Sequence, residues 1–306
     1  IIIYIKPTIT EQIMNKLIIG SRASKLAIAQ TNIVKEKLEK LNSDIKIEIK
    51  EITTRGDKNL TVSPESLKGA FTKEIEEALL NNEIDIAVHS MKDMATICPS
   101  GLIYASVPER EDARDVLISK KNIKFKNLPK NSIIGTTSLR RANYIRLFRD
   151  DLIVKSIRGN ILTRLKKLEN ENYDAIIIAA AAIKRLHLEN IITEYFSIED
   201  MLPAPGQGAL CVECRENDME IINMLKSIEN KEIRELVDIE RKFASLLDSG
   251  CNAPIGSFTE ITEDNIILYG SFFYNGNIYK DKVISKIEDK NNLANRLYDK
   301  IKNKLI

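Results

Sequence analysis

The chain has no tryptophan, only two histidines and four cysteines, and no apolar run longer than "AIIIAAAAI" at 175–183. Each shortage excludes something. A run of that length cannot cross a bilayer as a helix, and the opening "IIIYI" has neither a charged n-region nor an A-x-A cleavage site, so no signal peptide is expected and a cytoplasmic location is. His89 and His187 stand at no ligand spacing and a second C-x-x-C is missing, so the pair Cys211 and Cys214 lacks the context of a zinc site. "GALCVECR" reads as a strand, in which residues three apart face opposite sides, so those two thiols are expected to be buried small hydrophobes. There is also no excess of either charge. With 46 basic against 44 acidic residues and no aromatic stacking platform, nucleic acid and membrane surfaces are not expected partners. Neither G-x-x-x-x-G-K-[ST] nor G-x-G-x-x-G occurs, which puts a nucleotide enzyme well down the order.

What is present is strands alternating with helices. "KLIIG" (16–20) is a buried strand, and 24–41 carries helical spacing with Ser24 as its N-cap. "IKIEIKEI" (45–52) alternates as a strand, 72–82 is a helix with Thr72 as candidate cap, and "IDIAVHS" (84–90) is a buried strand. "SIIGTTSLRRANYIRLF", "LIVKSIRGNILTRLKKLEN" and "YDAIIIAAAAIKRL" each repeat strand, turn and helix. Such alternation implies βαβ units and mostly parallel sheets. After about residue 227 the pattern changes to a helix, three strands with "NGN" (275–277) as a hairpin turn, and a closing amphipathic helix, which is a small α+β unit. "TVSPESLKGAF" (61–71) has the composition of a mobile loop, and "RGD" (55–57) that of a strand-ending turn.

Polar motifs recur where strands end: "GSRASK", "HSMKD", "GTTSLRR" and "RGNILTR". Each joins small residues, hydroxyls and cations at a strand terminus, the place where α/β sheets gather ligands and where helix N-termini bind anions. Seven of the 15 arginines fall between 135 and 185, a local surplus of the side chain best shaped for bidentate carboxylate or phosphate binding. One such junction is ordinary surface chemistry. Four point to a cleft for a ligand with several negative groups. Asp93, beside Lys92, would place a carboxylate in that cationic cleft, where it could stabilise developing positive charge.

Taken together and in order, "SRASKLAIAQ", "TTRGD", "DIAVHSMKD", "ERED", "GTTSLRRA", "RGNILTRL", "YDAIIIAAAAIKRL", "LPAPGQGAL" and "GCNAPIG" resemble the hydroxymethylbilane synthase, or porphobilinogen deaminase, family from about Leu17 to the C-terminus. The resemblance implies two α/β domains like those of periplasmic binding proteins, set around a cleft, and a small α+β C-terminal domain. The expected bounds are 17–108 with 209–226, then 114–202, then 231–306. It implies a transferase that adds four porphobilinogen molecules stepwise, with loss of ammonia, to a covalently held dipyrromethane, and then releases the linear tetrapyrrole hydroxymethylbilane by hydrolysis.

By the same resemblance, Cys251 on its small-residue turn carries the dipyrromethane through a thioether, and Asp93 is catalytic. The cofactor would be held by Lys92, Asp93, Thr136, Ser138, Arg140, Arg141, Arg158 and Gly159. Arg22, Ser24, Gln30, Lys68, Arg158, Arg164, Arg185 and Gln207 would contact the substrate. No metal is expected, and the protein is expected to be a monomer in the cytoplasm. The chain departs from the family at "ESLKG", which keeps Lys68 without the usual flanking glycines, and at "MA" after "HSMKD", Ala113 and Ser249. The first sixteen residues match nothing in the family and are expected to be an extension or a cloning remnant. A non-enzymatic anion binder of the same architecture is the alternative; it explains the arginines but leaves Cys251 and Asp93 without a task.

Overall fold

The computed structural model describes residues 16–58, 72–247 and 254–305. Cys251, Lys68, Ser249 and the 61–71 stretch lie outside the described residues. Three sheets organise the rest.

The first contains β1 (Lys16–Arg22), β2 (Lys46–Ile52), β3 (Ile86–Ser90), β4 (Leu102–Ser106) and a late strand, β10 (Leu210–Arg215), in the order β2-β1-β3-β10-β4. The second contains β5 (Asp115–Ser119), β6 (Ile133–Gly135), β7 (Ile153–Lys155), β8 (Ala175–Ala179) and β9 (Glu194–Tyr195), in the order β7-β6-β8-β5-β9. The two orders are the same topology. Three parallel strands are followed by an antiparallel one inserted fourth, β10 in the first sheet and β5 in the second. Each inserted strand arrives from the other lobe, so the chain crosses twice, at 107–114 and 203–209. The expectation of mostly parallel sheets is corrected to mixed ones by these two insertions. Both lobes are α/β, as the alternating pattern implied.

The crossings lie side by side. Glu111 N donates to Gly208 O at 3.0 Å, Leu210 N donates to Glu109 O at 3.1 Å, and Arg110 bridges Ala209. Gly208 is required here. Its φ is +89°, and a Cβ built on it would lie 2.2 Å from the Glu111 carbonyl oxygen.

Local rules account for most elements. Ser24 caps α1 (Lys25–Leu41) by accepting from Ala27 N at 3.2 Å, and Val34 and Leu38 of that helix pack with Leu17, Ile19, Ile86, Leu210 and Val212. Cys211 and Cys214 are both wholly buried, in two separate apolar clusters, as strand alternation requires. Burial pushes the Cys214 thiol up to about 12. Two local expectations change. Residues Arg55–Lys58 form a single helical turn, α2, with Arg55 paired to Glu74 at 3.2 Å. Thr72 precedes α3 (Lys73–Leu80) but offers its backbone carbonyl, with no side-chain cap bond.

In the second lobe, α4 (Leu139–Phe148), α5 (Ile161–Asn170) and α6 (Ala180–Lys184) follow β6, β7 and β8. After α7 (Met219–Ser227), a long helix, α8 (Lys231–Leu247), packs on the antiparallel sheet of β11 (Ile255–Thr262), β12 (Asn265–Tyr274) and β13 (Asn277–Lys286), with α9 (Leu293–Lys302) beside it. The turn between β12 and β13 has Asn275 at φ +48° and Gly276 at φ +78°, the left-handed pair that a two-residue hairpin demands.

Candidate functional site

Between the ends of β1 and β3 on one side and β6, β7 and β8 on the other lies a cavity of about 600 Å³. The sequence motifs meet at its wall. Three of the four strand-end motifs cap helices there. Ser24 caps α1, Ser138 caps α4 by accepting from Arg141 N at 3.4 Å, and Asn160 caps α5 by accepting from Thr163 N at 2.9 Å. The fourth, "HSMKD", opens a 3₁₀ turn over Met91–Asp93. That turn directs Lys92 and Asp93 into the wall, while Gln30 of α1 donates to Ser90 Oγ at 2.8 Å to fix the strand end.

Of the residues singled out from sequence, Arg22, Ser24, Gln30, Lys92 and Asp93 line the cavity from the first lobe. Arg141, Arg158, Gly159, Arg164 and Arg185 line it from the second. Gly159 has φ +111°, and a Cβ there would come within 2.6 Å of Thr163. Its carbonyl accepts from Arg164 Nε at 2.8 Å, which orients that guanidinium. Arg185 donates through Nη2 to Gly208 O at 2.8 Å and meets Glu109 at 3.4 Å, while its buried Nε has no partner.

Six cations thus face the cavity with Asp93 as the one carboxylate in its wall among the described residues. The crowding registers in their protonation. Burial, then the nearby Arg141, pulls Arg164 down to about 10, with Asp93 opposing. Burial also pulls Lys92 down to about 8, where Asp93 resists the shift and Arg141 adds to it.

Four expected contacts lie behind this wall instead. Arg140 donates to Asp115 Oδ2 at 2.7 Å and to Leu202 O at 2.5 Å, and it is 4% exposed. Thr136 accepts from Ser138 N at 3.2 Å, Ser138 is the α4 cap, and Gln207 is wholly buried. For Arg140 and Gln207 the physical reason is Asp115. A carboxylate with no exposure must be paired, and it takes Arg140 on one oxygen and Arg141 at 2.8 Å on the other. Those cations overcome its burial and hold it well below the usual carboxylate range. Sequence reasoning passed over Asp115. The available signal was an aspartate opening an otherwise apolar strand, "DVLIS", in a chain with a nearby surplus of arginine. It also passed over Ser90, Thr137, Asn160 and Thr163, which place further polar groups on the wall.

Residues 17–223 match the family profile described as "Porphobilinogen deaminase, dipyromethane cofactor binding domain". A porphobilinogen deaminase of Fusobacterium nucleatum subsp. nucleatum is 47% identical over 294 residues, covering 95% of this chain and 98% of that relative. The chain belongs to the porphobilinogen deaminase family. A second family member, from Geobacillus sp. (strain WCH70), is 51% identical over 259 residues, with 83% of each chain covered. The porphobilinogen deaminase of Bacillus subtilis (strain 168) is 47% identical over 261 residues, covering 84% of this chain and 83% of that one. Among solved structures, the methionine binding protein MetQ aligns over 72% of this chain and 93% of its own, at 10% identity and a TM-score of 0.48.

The wall fits the family's dipyrromethane and substrate, whose pyrrole rings carry acetate and propionate arms. Six cations against one carboxylate, and a buried guanidinium Nε with no partner, are a host for a polyanion.

Proposed function

We propose that this cavity is where the protein, as a hydroxymethylbilane synthase, joins porphobilinogen units into a linear tetrapyrrole. When bound, the dipyrromethane supplies the free pyrrole position to which successive units are joined and from which the finished chain is hydrolysed. Lys92, Arg141, Arg158 and Gly159 would hold it through its carboxylate arms, with Arg140, Thr136 and Ser138 supporting them from behind. Cys251 would carry the thioether, and Lys68 would join the substrate contacts; both lie outside the described residues. Arg22, Ser24, Gln30, Arg164 and Arg185 would receive the arms of incoming porphobilinogen, with Gln207 acting from behind the wall.

The observation that carries this reading is the cation-rich wall, six cations to one carboxylate, of which Arg141 and Arg185 are also paired from behind by Asp115 and Glu109. Carboxylates taken out of water are costly unless paired, and each charge-assisted hydrogen bond returns roughly 1.5–3 kcal/mol. Asp93 has a different task. Loss of ammonia from porphobilinogen leaves positive charge on the substrate ring, and a carboxylate in the cavity wall stabilises that charge as it develops. The reading includes the expected units, 17–108 with 209–226, 114–202 and 231–306, and a monomer in the cytoplasm. No helix among the described residues is long and apolar enough to cross a membrane.

Intact-mass measurement of freshly purified protein tests it. The mass should exceed that of the chain by one dipyrromethane, and peptide mapping should place the addition on Cys251. Unmodified protein that still turns over porphobilinogen would remove the anchor. Unmodified protein without turnover would favour a simple anion binder.

A further inference from the structure

Gln207 sits where the two crossings and both lobes meet, and its partners dictate which way its amide points. Nε2 donates to Ala113 O at 2.6 Å and to Asp115 Oδ1 at 2.9 Å, and both of these groups can only accept. Oε1 accepts from Lys92 Nζ at 3.3 Å and from Arg141 Nη2 at 3.4 Å, and both of these can only donate. A reversed amide would set its NH₂ against two cations and its oxygen against a carboxylate.

Asp115 fixes the other half of the arrangement. Its Oδ1 takes Arg141 through Nε at 3.1 Å and Nη2 at 2.8 Å, while Arg141 Nη1 is spent on Ile177 O at 3.1 Å. The Arg141 fork is therefore held edge-on to Asp115. A chain of contacts runs from β5 of the second lobe, through the returning crossing, to the turn after β3 of the first.

We propose that Asp115 and Gln207 are positioning residues that hold Lys92 and Arg141, cations from opposite lobes, in a fixed relation at the cavity wall. Neither need touch the ligand. Asp115 directs the amide, the amide oxygen directs the Lys92 ammonium, and the two cations then present one preset site for a carboxylate arm. This rests on the reading that the cavity receives a carboxylate-bearing ligand, and it adds the reason that Gln207, though buried, matters to that ligand.

The test compares Asp115→Asn and Gln207→Met with the unaltered protein. Competitive labelling with acetic anhydride across pH, followed by mass spectrometry of the Lys92 peptide, reports the titration of Lys92. Kinetics with porphobilinogen report kcat and KM separately. The charged groups facing Lys92 are Asp93 on its own turn, Arg140 and Arg141 from α4, and Asp115 from β5. Removing the Asp115 charge, or the amide oxygen that accepts from Lys92, should move that titration to lower pH in both variants. kcat/KM should fall by about tenfold or more.

A Lys92 titration unmoved in Gln207→Met, with KM alone raised, would mean that Gln207 meets the ligand directly, and the proposal falls. Should Asp115→Asn fail to fold, Gln207→Met leaves the ion pairs of Asp115 in place and decides the matter. An unaltered protein that consumes no porphobilinogen would sink the functional reading, while the Lys92 titration would still decide this one.

Discussion

The guanidinium of Arg110 meets the carboxylate of Glu240 fork to fork, with Nη1 to Oε1 at 2.7 Å and Nη2 to Oε2 at 3.1 Å. Arg110 lies on the first crossing and Glu240 on α8, so this pair joins the small C-terminal sheet unit to the segment between the lobes. It is buried and fully engaged. Glu240 also accepts from Gly206 N and Thr259 N, each at 2.8 Å, and Arg110 donates through Nε to Gln207 O at 3.1 Å.

Glu240→Gln should therefore be severe for so small a change. It leaves Arg110 an uncompensated cation and turns an amide NH₂ toward a backbone N–H. Breaking one side of a buried pair costs about 3–5 kcal/mol, which thermal and urea unfolding would read as a clearly lowered midpoint. A loss below about 1 kcal/mol, the range of exposed pairs, would show that water reaches the site.

Asp93→Asn keeps the size of the side chain and removes its charge from the wall. The variant should fold and retain the mass of the bound dipyrromethane, yet lose roughly 10²–10³ in kcat, as when one preorganised electrostatic group is deleted. Single-turnover measurement with porphobilinogen checks this. A rate within about threefold of the parent, little more than 0.6 kcal/mol in barrier, would make the carboxylate a structural group.

Lys92 gives the cleft a pH dependence before any ligand binds. Its folded value, about 8, lies below the ordinary 10.5, chiefly through burial. As pH rises through about 8, the cleft loses one positive charge, so its affinity for carboxylates should weaken. Between those two values the unfolded chain binds more protons than the folded one, so this group's contribution to stability rises with pH across the window. Uptake of dipyrromethane by protein stripped of it should weaken from about pH 7 to about pH 9, and Lys92→Arg should flatten the fall because a guanidinium stays charged throughout. A flat profile in the parent would mean that Lys92 is solvated in the free protein.

Much of this was legible in the sequence. The order of strands and helices follows from runs such as "AIIIA" and from the hydroxyl cap at Ser24, set by near neighbours in the chain, while the caps at Ser138 and Asn160 emerged with the structure. The opposed burial of Cys211 and Cys214 follows from strand alternation alone. Arg140 and Arg141 were less legible. They are adjacent on α4, about 100° apart around the axis, and both are held by Asp115 of β5, 25 and 26 residues earlier, with Arg140 tied also to Leu202 O behind the wall. The same holds for Gln207, whose amide is oriented by groups 92 and 115 positions away. Local periodicity carries no information at that range. Thr72 fails as a side-chain cap although its residue type favours the role, because its backbone is helical, at φ −120° and ψ −30°, where a capping residue is extended.

The place of β10 has a consequence for synthesis. Among the described residues its strand is the only neighbour joining β3 to β4, and Leu210, which pairs with Ser90, is made 120 residues later. At about 5–20 residues per second, the nascent chain spends on the order of 10 s with the β3 edge open and β4 unattached. An unpaired edge of that kind is a template for joining another chain. Ribosome-bound fragments ending shortly before Leu210 should accordingly be the species most prone to clump and most dependent on chaperones, and extension by the few residues of β10 should relieve both.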